Sequence, residues 1–209
     1  MSMRDALKTV ARGLATLVVV PALCSFWIRR PIIGADRALE GSTQALGLVP
    51  GLLGQYLRRA FLERTLAHCA PSAAIAFGTS FSAEGTRIDD RAYIGPNCHI
   101  GLAHIARDVL IAPCVHIPSG SHVHGTRELT VPIRDQSGVH QMVHVGAGAW
   151  IGALAIVMAD VGSGTIVAAG AVVTKALPDN VIAAGVPARV LRARDGSEPA
   201  SSATSSSAP

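Results

Sequence analysis

The feature that most restricts the fold of this chain is a six-residue return of aliphatic side chains in its second half. The spacings are 6, 6, 4, 6 and 6, at Val145, Ile151, Val157, Val161, Val167 and Val173. An α-helix needs a period near 3.6 and a half-buried strand a period near 2, so neither explains the pattern. A return every six residues is typical of a β-solenoid, in which each hexad supplies one short strand and a turn, and stacked coils share a continuous core.

The same pattern extends upstream, with spacings of 6, 7, 6, 6, 5, 6 and 6. Its aliphatic or aromatic positions are Ile75, Phe81, Ile88, Ile94, Ile100, Ile105, Ile111 and Ile117. The two blocks give about fourteen hexads, which at three hexads per triangular coil predict roughly four to five coils. Aromatic content is only 4% and there are 21 glycines, which suits narrow coils better than a sandwich. We therefore expect an all-β parallel β-helix over 72–176, preceded by helices.

The repeat stops between Ile117 and Val145, where the chain reads PSGSHVHGTRELTVPIRDQSGVHQMVH. A long excursion from an otherwise strict repeat usually lies on the working face of a solenoid. The sequence therefore predicts an excursion loop over 118–144 that contains functional residues.

The first segment, 1–34, contains an uncharged run over 13–28 that is bounded by Arg12 and Arg29. As a helix it would reach about 24 Å, short of a bilayer core of about 30 Å, and Pro21 would kink it. The apolar composition favours membrane association of this run. Docking against the protein or an oligomer partner, and a signal peptide, stay open as alternatives.

Residues 35–71 are predicted to be helical, with one apolar stripe formed by Leu53, Tyr56, Leu57, Ala60 and Phe61. Such a helix either caps the first coil or lies against a membrane surface, and we favour the cap because an open coil end must be covered. At the other end of the chain, 196–209 is rich in serine and alanine and is predicted to be a disordered tail.

Charge and cysteine content exclude two classes of function. The net charge of +4 comes with no basic run interleaved with aromatic residues, so nucleic acid is not an expected partner. The four cysteines form no CxxC pair, which argues against a metal cage and indicates a reducing compartment.

Five ordered motifs then identify a resemblance. They are Ser-Gly-Ser-His at 119–122, Pro-Ile-Arg-Asp-Gln at 132–136, Trp-Ile-Gly at 150–152, Val-Thr-Lys at 173–175, and Gly-Val-Pro-Ala-Arg-Val-Leu-Arg at 185–192. From about Ile75 to Arg192 the chain resembles the hexapeptide-repeat acyltransferases, most closely the maltose/galactoside and polysaccharide O-acetyltransferases. The resemblance implies a left-handed parallel β-helix assembled as a homotrimer, and it does not cover the first 71 residues.

The resemblance also implies the roles of individual residues. His122 takes the position of the general base, a role that suits an imidazole whose unperturbed pKa lies near 6.5. His124 lies two residues further on and is the rival for that role, or an acceptor residue. Asn97 corresponds to an asparagine that contacts the acceptor, and the alternative is that Asn97 is simply a turn residue. Arg134 and Asp135 either line the acceptor side of the loop or pair with each other.

For the co-substrate, the resemblance implies an acetyl-CoA cleft between neighbouring subunits, with no metal. Trp150 would flank the pantetheine arm, which backbone groups at Ala153 and Ala169 would hydrogen-bond. The adenine and phosphate end would be held by Thr174, Lys175, Arg189 and Arg192, the two arginines belonging to a C-terminal coenzyme-binding segment, 177–195. Cations suit this end because it contains several phosphate charges.

The resemblance therefore implies an O-acetyltransferase that moves an acetyl group directly from acetyl-CoA to a hydroxyl of a sugar or envelope polysaccharide precursor. A serine-type or other small-molecule acyltransferase is the alternative. A γ-type carbonic anhydrase, suggested by His99 and His104, and a non-catalytic scaffold are weaker rivals. Because coenzyme A is a cytosolic metabolite, we expect a cytoplasmic protein at the inner face of the cell membrane.

Overall fold

The computed structural model describes residues 3–196, and the predicted tail beyond Gly196 lies outside them. Four helices come first: α1 (Met3–Val18), α2 (Val20–Ile33), α3 (Ala35–Gly47) and α4 (Gly51–Leu62). Short strands follow: β1 (His68–Cys69), β2 (Ala74–Ile75), β3 (Ser80–Phe81), β4 (Arg87–Ile88), β5 (Tyr93–Ile94), β6 (His99–Ile100), β7 (Ala103–Ile105), β8 (Leu110–Ile111), β9 (His116–Ile117), β10 (Val143–Val145), β11 (Trp150–Ile151), β12 (Ile156–Val157), β13 (Ile166–Val167), β14 (Val172–Val173), β15 (Val181–Ala184) and β16 (Arg189–Ala193).

The strands form a triangular prism with three sheets, which we call faces A, B and C. Face A contains β1, β4, β7 and β10, face B contains β2, β5, β8, β11, β13, β15 and β16, and face C contains β3, β6, β9, β12 and β14. Every strand pair is parallel except β15–β16. The chain thus circles from face A to B to C and returns to A in each coil.

The solenoid has about six turns, more than the four to five that the spacing predicts. The first coil begins at His68–Cys69, inside the segment predicted to be helical, and α4 already ends at Leu62. Cys69 and, in the last turn, Leu177 occupy inward positions and are buried. The prediction counted too few turns because it began the repeat at Ile75 and ended it at Val173. Cys69 and Leu177, which lie beyond these limits, were therefore not counted.

Register stacks the inward side chains into straight columns along the prism. On face B, Ile94 pairs with Ile111, Ile111 with Ile151, and Ile151 with Val167, and all four are fully buried. Burying an aliphatic side chain of this size stabilises the fold by about 1.5–3 kcal/mol. The repeated use of one shape of side chain therefore builds a core that continues from coil to coil.

The helices α3 and α4 cover the N-terminal end of the prism, and the buried Arg58 joins them to it. Its Nε donates to the carbonyl of Ile75 at 3.0 Å, while Nη1 donates to Leu46 at 3.2 Å and to Val49 at 2.8 Å. Burial lowers the pKa of Arg58. One guanidinium therefore satisfies carbonyls at the end of α3, in the following turn, and in the first coil.

The helices α1 and α2 pack on α4 and α3 and bury only part of their apolar surface. Phe26 is fully buried against Phe61, with ring centroids 5.8 Å apart, whereas Leu17 and Ile28 are exposed. Within residues 3–196, no helix taken singly has the length and apolar character of a membrane span. Thr9–Val18 and Val20–Ile33, bent by 49°, satisfy that test of length and composition only as a pair.

The C-terminal end of the prism is covered by β16, which turns back antiparallel on β15. On face C the backbone N–H of Ala188 donates to the carbonyl of Val172 at 2.8 Å. Arg194 N–H donates to Asn180 at 2.7 Å, which holds the end of this hairpin against the last turn.

Candidate functional site

The outward side chains of the strands give each face of the prism a different chemistry. Face A presents titratable residues, face B a mostly apolar column and face C hydroxyl, imidazole and aliphatic groups. In coil order, the columns are His68, Arg87, His104 and His144 on face A; Ala74, Tyr93, Leu110, Trp150, Ile166 and Ile182 on face B; and Ser80, His99, His116, Ile156 and Val172 on face C.

The excursion leaves the prism after β9, at the corner between faces C and A, and returns at β10. Its base is closed by two backbone hydrogen bonds, from Gln141 N–H to Ser119 at 2.8 Å and from Val139 N–H to His122 at 2.7 Å. The loop tip contains a short 3₁₀ turn, Ile133–Asp135. The excursion is therefore anchored next to the coil on which it begins.

Both candidate bases, His122 and His124, line one open pocket of about 700 Å³ inside the excursion. The Nδ1 atom of His122 lies 2.9 Å from Ser121 Oγ, and both side chains are exposed. A hydroxyl that fixes one ring nitrogen leaves the other to face an acceptor. Geometry therefore gives His122 an orienting partner, while the shared pocket does not separate its role from that of His124.

Arg134 and Asp135 lie on the excursion, exposed, with Arg134 Nε 3.5 Å from Asp135 Oδ1. Neither belongs to the residues that line the histidine pocket. This geometry matches the alternative in which Arg134 and Asp135 pair with each other instead of lining the acceptor side of the loop.

A second pocket, of about 520 Å³, lies at the corner between faces C and A, where the excursion meets the fourth and fifth coils. We call it the corner pocket. It is lined by Gly120, Ser121, Gln141, Met142, Val143, His144, Met158, Ala159, Asp160, Thr174 and Ala176. The pocket therefore brings together the residue that orients His122 and Thr174, which the sequence predicts to hold coenzyme.

Inside the corner pocket, Asp160 holds His144 through two contacts. Asp160 Oδ1 accepts the backbone N–H of His144 at 2.8 Å and lies 3.4 Å from the Nδ1 atom of its ring. The two side chains remain 54% and 55% exposed. Sequence analysis missed this pair because its members are separated by a complete coil, although the six-residue period already indicates that residues 144 and 160 both precede an inward valine.

A related cluster continues along face A. Asp89 Oδ2 lies 2.9 Å from His104 Nε2, and Asp89 Oδ1 lies 3.9 Å from His68 Nε2. The rings of His104 and His144 meet edge to face, with centroids 5.9 Å apart. Among the described residues, no group of three or more His, Cys, Asp or Glu side chains has the arrangement of a metal site.

The pair that suggested a carbonic anhydrase is separated by the fold. His99 lies on face C, where its Nδ1 is 2.9 Å from Ser80 Oγ and its ring stacks on His116 at 5.0 Å. His104 lies on face A beside Asp89. Burial, and then the neighbouring His99, lower the pKa of His116.

The predicted coenzyme residues fall into two groups within the protomer. Thr174 and Lys175 follow β14, at the corner that also contains the excursion base. Trp150 lies on face B, 47% exposed. The rest of the second group consists of Ala153 and Ala169 at the corner between faces B and C, and of Arg189 and Arg192 on β16. The predicted acceptor residue Asn97 lies at the same corner as the two alanines.

The corner between faces B and C is a ladder of backbone hydrogen bonds. Asn97 has a left-handed φ of 56° and its N–H donates to Phe77 at 2.8 Å, so it serves as a turn residue. The Ala153 carbonyl accepts the N–H of Gly170 at 2.8 Å. The exposed turn geometry leaves the acceptor role of Asn97 as a prediction.

The buried cysteines are poor nucleophiles. Burial raises the pKa of Cys69 to about 12, with a further contribution from Glu63, and burial also raises the pKa of Cys98. A thiol must ionise to attack a thioester, so neither residue suits a covalent acyl-enzyme.

Three curated relatives match part of the chain. A probable acetyltransferase of Mycobacterium tuberculosis is 38% identical over 38% of this chain and 27% of its own length. The galactoside O-acetyltransferase of Escherichia coli is 36% identical over 42% of each chain. The Escherichia coli protein WbbJ, named as a lipopolysaccharide biosynthesis O-acetyl transferase, is 29% identical over 55% of this chain and 61% of its own. The chain thus spans between about a quarter and three fifths of the length of these relatives, and no family profile matches it.

Solved structures share the fold at lower identity. A maltose O-acetyltransferase from Clostridium difficile has a TM-score of 0.63 at 19% identity, covering 76% of this chain and 87% of its own. A galactoside acetyltransferase in complex with coenzyme A has a TM-score of 0.56 at 20% identity, covering 76% and 80%. A hexapeptide-repeat acetyltransferase from Vibrio cholerae, complexed with acetyl-coenzyme A, has a TM-score of 0.57 at 23% identity, covering 75% and 87%. The predicted fold class and the predicted resemblance are both confirmed.

Proposed function

We propose that this chain is an acyl-CoA-dependent O-acetyltransferase of the hexapeptide-repeat type, acting on a hydroxyl of a saccharide. The observation that carries the proposal is the corner pocket, in which Ser121, the partner of His122, faces Thr174. The names of the relatives support acetyl transfer, and two of the structural neighbours were solved with coenzyme A or acetyl-coenzyme A.

In this proposal the transfer is direct. The acceptor hydroxyl oxygen attacks the thioester carbonyl carbon while His122 Nε2 takes the hydroxyl proton, giving a tetrahedral oxyanion. The oxyanion collapses, the carbon–sulfur bond breaks, and the imidazolium returns the proton to the departing thiolate. Ser121 fixes the Nδ1 side of the ring during both steps. The products are the acetyl ester and free coenzyme A, with no net proton left on the protein.

We also propose that the acetyl-CoA cleft is shared between subunits of a homotrimer. Within one protomer His122 and Lys175 lie on one corner of the prism, whereas Trp150 and Arg192 lie on face B. A neighbouring copy could place its face B against the corner between faces C and A. Its Trp150 and Arg192 would then line one extended coenzyme together with His122 and Lys175 of the first copy. The apolar column on face B, with Leu110 and Trp150 exposed, suits such a buried position.

Mixed oligomers test the shared cleft. His122→Ala and Trp150→Ala subunits, each impaired alone, should recover part of the activity when unfolded and refolded together. A shared cleft regains a complete site wherever one subunit supplies His122 and its neighbour supplies Trp150. No recovery in a verified mixed trimer, or a monomer by light scattering, would contradict the arrangement.

We further propose that α1 and α2 contact the inner face of the cell membrane. Exposed apolar residues repeat every three or four positions there, at Leu14, Leu17, Ile28 and Ile32. Arg29 donates to Ser42 and Arg30 pairs with Glu84, so the exposed apolar residues carry the proposed contact. Flotation with vesicles containing anionic lipid should fail for a Leu17→Asp/Ile28→Asp variant, while Leu129→Asp, an exposed apolar position on the excursion, should float like wild type.

The decisive experiment is a thiol-release assay. Acetyl-CoA is offered with a panel of saccharides, nucleotide-sugars and L-serine, and release above the acceptor-free background is measured. We expect release with a saccharide and a thermal shift on adding acetyl-CoA. Absence of both would favour the scaffold interpretation, and release with serine alone would favour the small-molecule alternative.

A further inference from the structure

The helices α1 and α2 combine the composition of a membrane span with the contacts of a docked layer. Thr9–Val18 and Val20–Ile33 together satisfy the test of length and composition for a span, with a bend of 49° between them. As a pair they supply the roughly 20 apolar residues that a helix needs to cross a bilayer core of about 30 Å. Crossing would require both helices to leave the protein surface, so the contacts of α2 decide between a span and a surface layer.

The middle of α2 is fixed to the two helices that cover the prism. Phe26 is fully buried, and its ring meets that of Phe61 on α4 edge to face, with centroids 5.8 Å apart. Further along α2, Arg29 Nη2 donates to Ser42 Oγ of α3 at 2.7 Å. A helix that turned into a bilayer would lose both contacts and expose the phenyl ring of Phe26.

The end of α2 is fixed to the prism itself. Arg30 Nε and Nη2 donate to the two carboxylate oxygens of Glu84 at 3.1 Å each, and Glu84 lies in the turn between β3 and β4. Asp36 of α3 accepts the backbone N–H of Glu84 at 2.9 Å, which holds that turn in place. Two parallel hydrogen bonds between a guanidinium and a carboxylate have a defined geometry, so this pair sets the position of α2 on the first coil.

The sides of both helices that point away from these contacts are apolar. Leu17 lies two residues beyond the buried Ala15, or about 200° around α1, and is 68% exposed. Ile28 has the same relation to the buried Phe26 on α2 and is 66% exposed. An amphipathic helix in the plane of a membrane buries such a side about 5–10 Å into the boundary between headgroups and acyl chains. The same outward sides contain Val10 and Leu14 on α1, and Cys24 and Ile32 on α2.

We infer that α1 and α2 lie in the plane of a single leaflet and do not cross the bilayer, with α2 still bound to Phe61, Ser42 and Glu84. This inference rests on the proposed membrane contact and adds its mode. Lipid is the occupant that composition favours, because the two helices as a pair match a span in length and apolar character. The N-terminal end of the prism is then the end nearest to the lipid.

The first test fixes α2 to the prism. Arg30→Cys and Glu84→Cys are combined in the whole chain with Cys24→Ser and Cys114→Ser, which remove the exposed thiols, and are then joined by a short bis-maleimide. The two buried cysteines have raised pKa values and should not compete. We expect the cross-linked protein to float with vesicles containing anionic lipid to the same extent as before cross-linking. Loss of flotation on cross-linking would overturn the inference, because the helices would then have to leave the prism to enter the lipid.

The second test measures the depth of α2 with a fluorophore on Cys24, in a Cys114→Ser chain. Cys24 lies nine residues before Ile33, or about 13.5 Å along the helix, so in a span it would lie near the middle of the bilayer core. An in-plane helix keeps it near the headgroups. We therefore expect stronger quenching by lipids with a nitroxide near the headgroup than by lipids with a nitroxide at the end of the acyl chain. The reverse order would overturn the inference in favour of a span.

Failure of the membrane contact itself has a different signature. Wild-type protein that does not float with the vesicles would reject the proposed contact, and this inference with it, while thiol release in the acetyl-CoA assay would still support the proposed enzyme activity. The apolar sides could instead bind a second copy of the chain. Assemblies larger than a trimer that do not float, and that Leu17→Asp/Ile28→Asp dissociates, would overturn the inference in favour of that occupant.

Discussion

The inward and outward residues of the same strands obey different rules. In β8 and β11 the inward residues, Ile111 and Ile151, are fully buried in register, whereas their outward neighbours, Leu110 and Trp150, are exposed. Every coil must present a similar shape to the next coil, so the interior repeats. The exterior has no such constraint and differs from face to face. The comparison teaches that the repeat specifies the prism, and departures from it specify the site.

The largest expected effect separates activity from stability on the exterior. His122→Ala should lower turnover by about 10²–10⁴-fold, because the transfer would lose the base that we propose for it. The melting temperature should barely change, since the side chain is exposed. His140→Ala, on the same excursion but outside the lining of the histidine pocket, is the control. Near-normal turnover in His122→Ala would transfer the role to His124.

The interior should show the opposite behaviour. Ile88→Ala leaves a cavity between Cys69 and Ile105 and should lower the free energy of unfolding by about 2–5 kcal/mol. Its outward neighbour in the same strand is exposed on face A, and Arg87→Ala should change this free energy by no more than about 0.5 kcal/mol. Urea unfolding of both variants measures the difference. Equal losses would break the comparison between the two sides of the strand.

A smaller effect concerns the coenzyme. Lys175→Glu should raise the KM for acetyl-CoA about tenfold, because a carboxylate would replace the cation that we propose to lie near the phosphates, while the acceptor KM stays nearly constant. Arg107 is an exposed cation at the corner between faces A and B, and Arg107→Glu tests for a general charge effect. An equal rise of the acetyl-CoA KM in Arg107→Glu would contradict a location of Lys175 near the phosphates. An equal rise of both KM values in Lys175→Glu would contradict it as well.

The smallest expected effect is a pH dependence from face C. The folded-state pKa of His116 is lowered, by burial first and then by His99, so the unfolded chain binds the proton more readily. Its contribution to stability is therefore complete above about pH 6.5 and declines as the pH falls below that value. His116→Gln should show a smaller loss of melting temperature between pH 7 and 5 than wild type. Identical pH profiles would contradict this assignment.

The sequence predicts the prism well because its interior positions accept several apolar residues but recur at a nearly constant interval of six. Where an interior position is filled by Cys69 or Leu177, outside the run of isoleucine and valine, the count of turns fell short. The predicted start of the solenoid, at residue 72, lies after the first strand for the same reason: that strand, His68–Cys69, contains no isoleucine or valine. The excursion was recognisable because it alone lacks the period.

The site was harder to predict because it depends on which corner each residue occupies. His122 and Lys175 came from motifs and lie on one corner, but His144 and Asp160 become neighbours only through the stacking of two coils. A period count assigns them to the exterior without pairing them. Their contact, with Oδ1 3.4 Å from Nδ1, needs the rise from one coil to the next, which spacing alone does not supply.

The two closed ends of the prism have a consequence for assembly. At one end Arg58 binds the helices to the first coil, and at the other β16 occupies the free edge of face B. Because the helices cover one end of the prism and β16 covers the other, we expect end-to-end growth into fibres to be disfavoured. Self-association would then use the flanks of the prism, which present the outward columns.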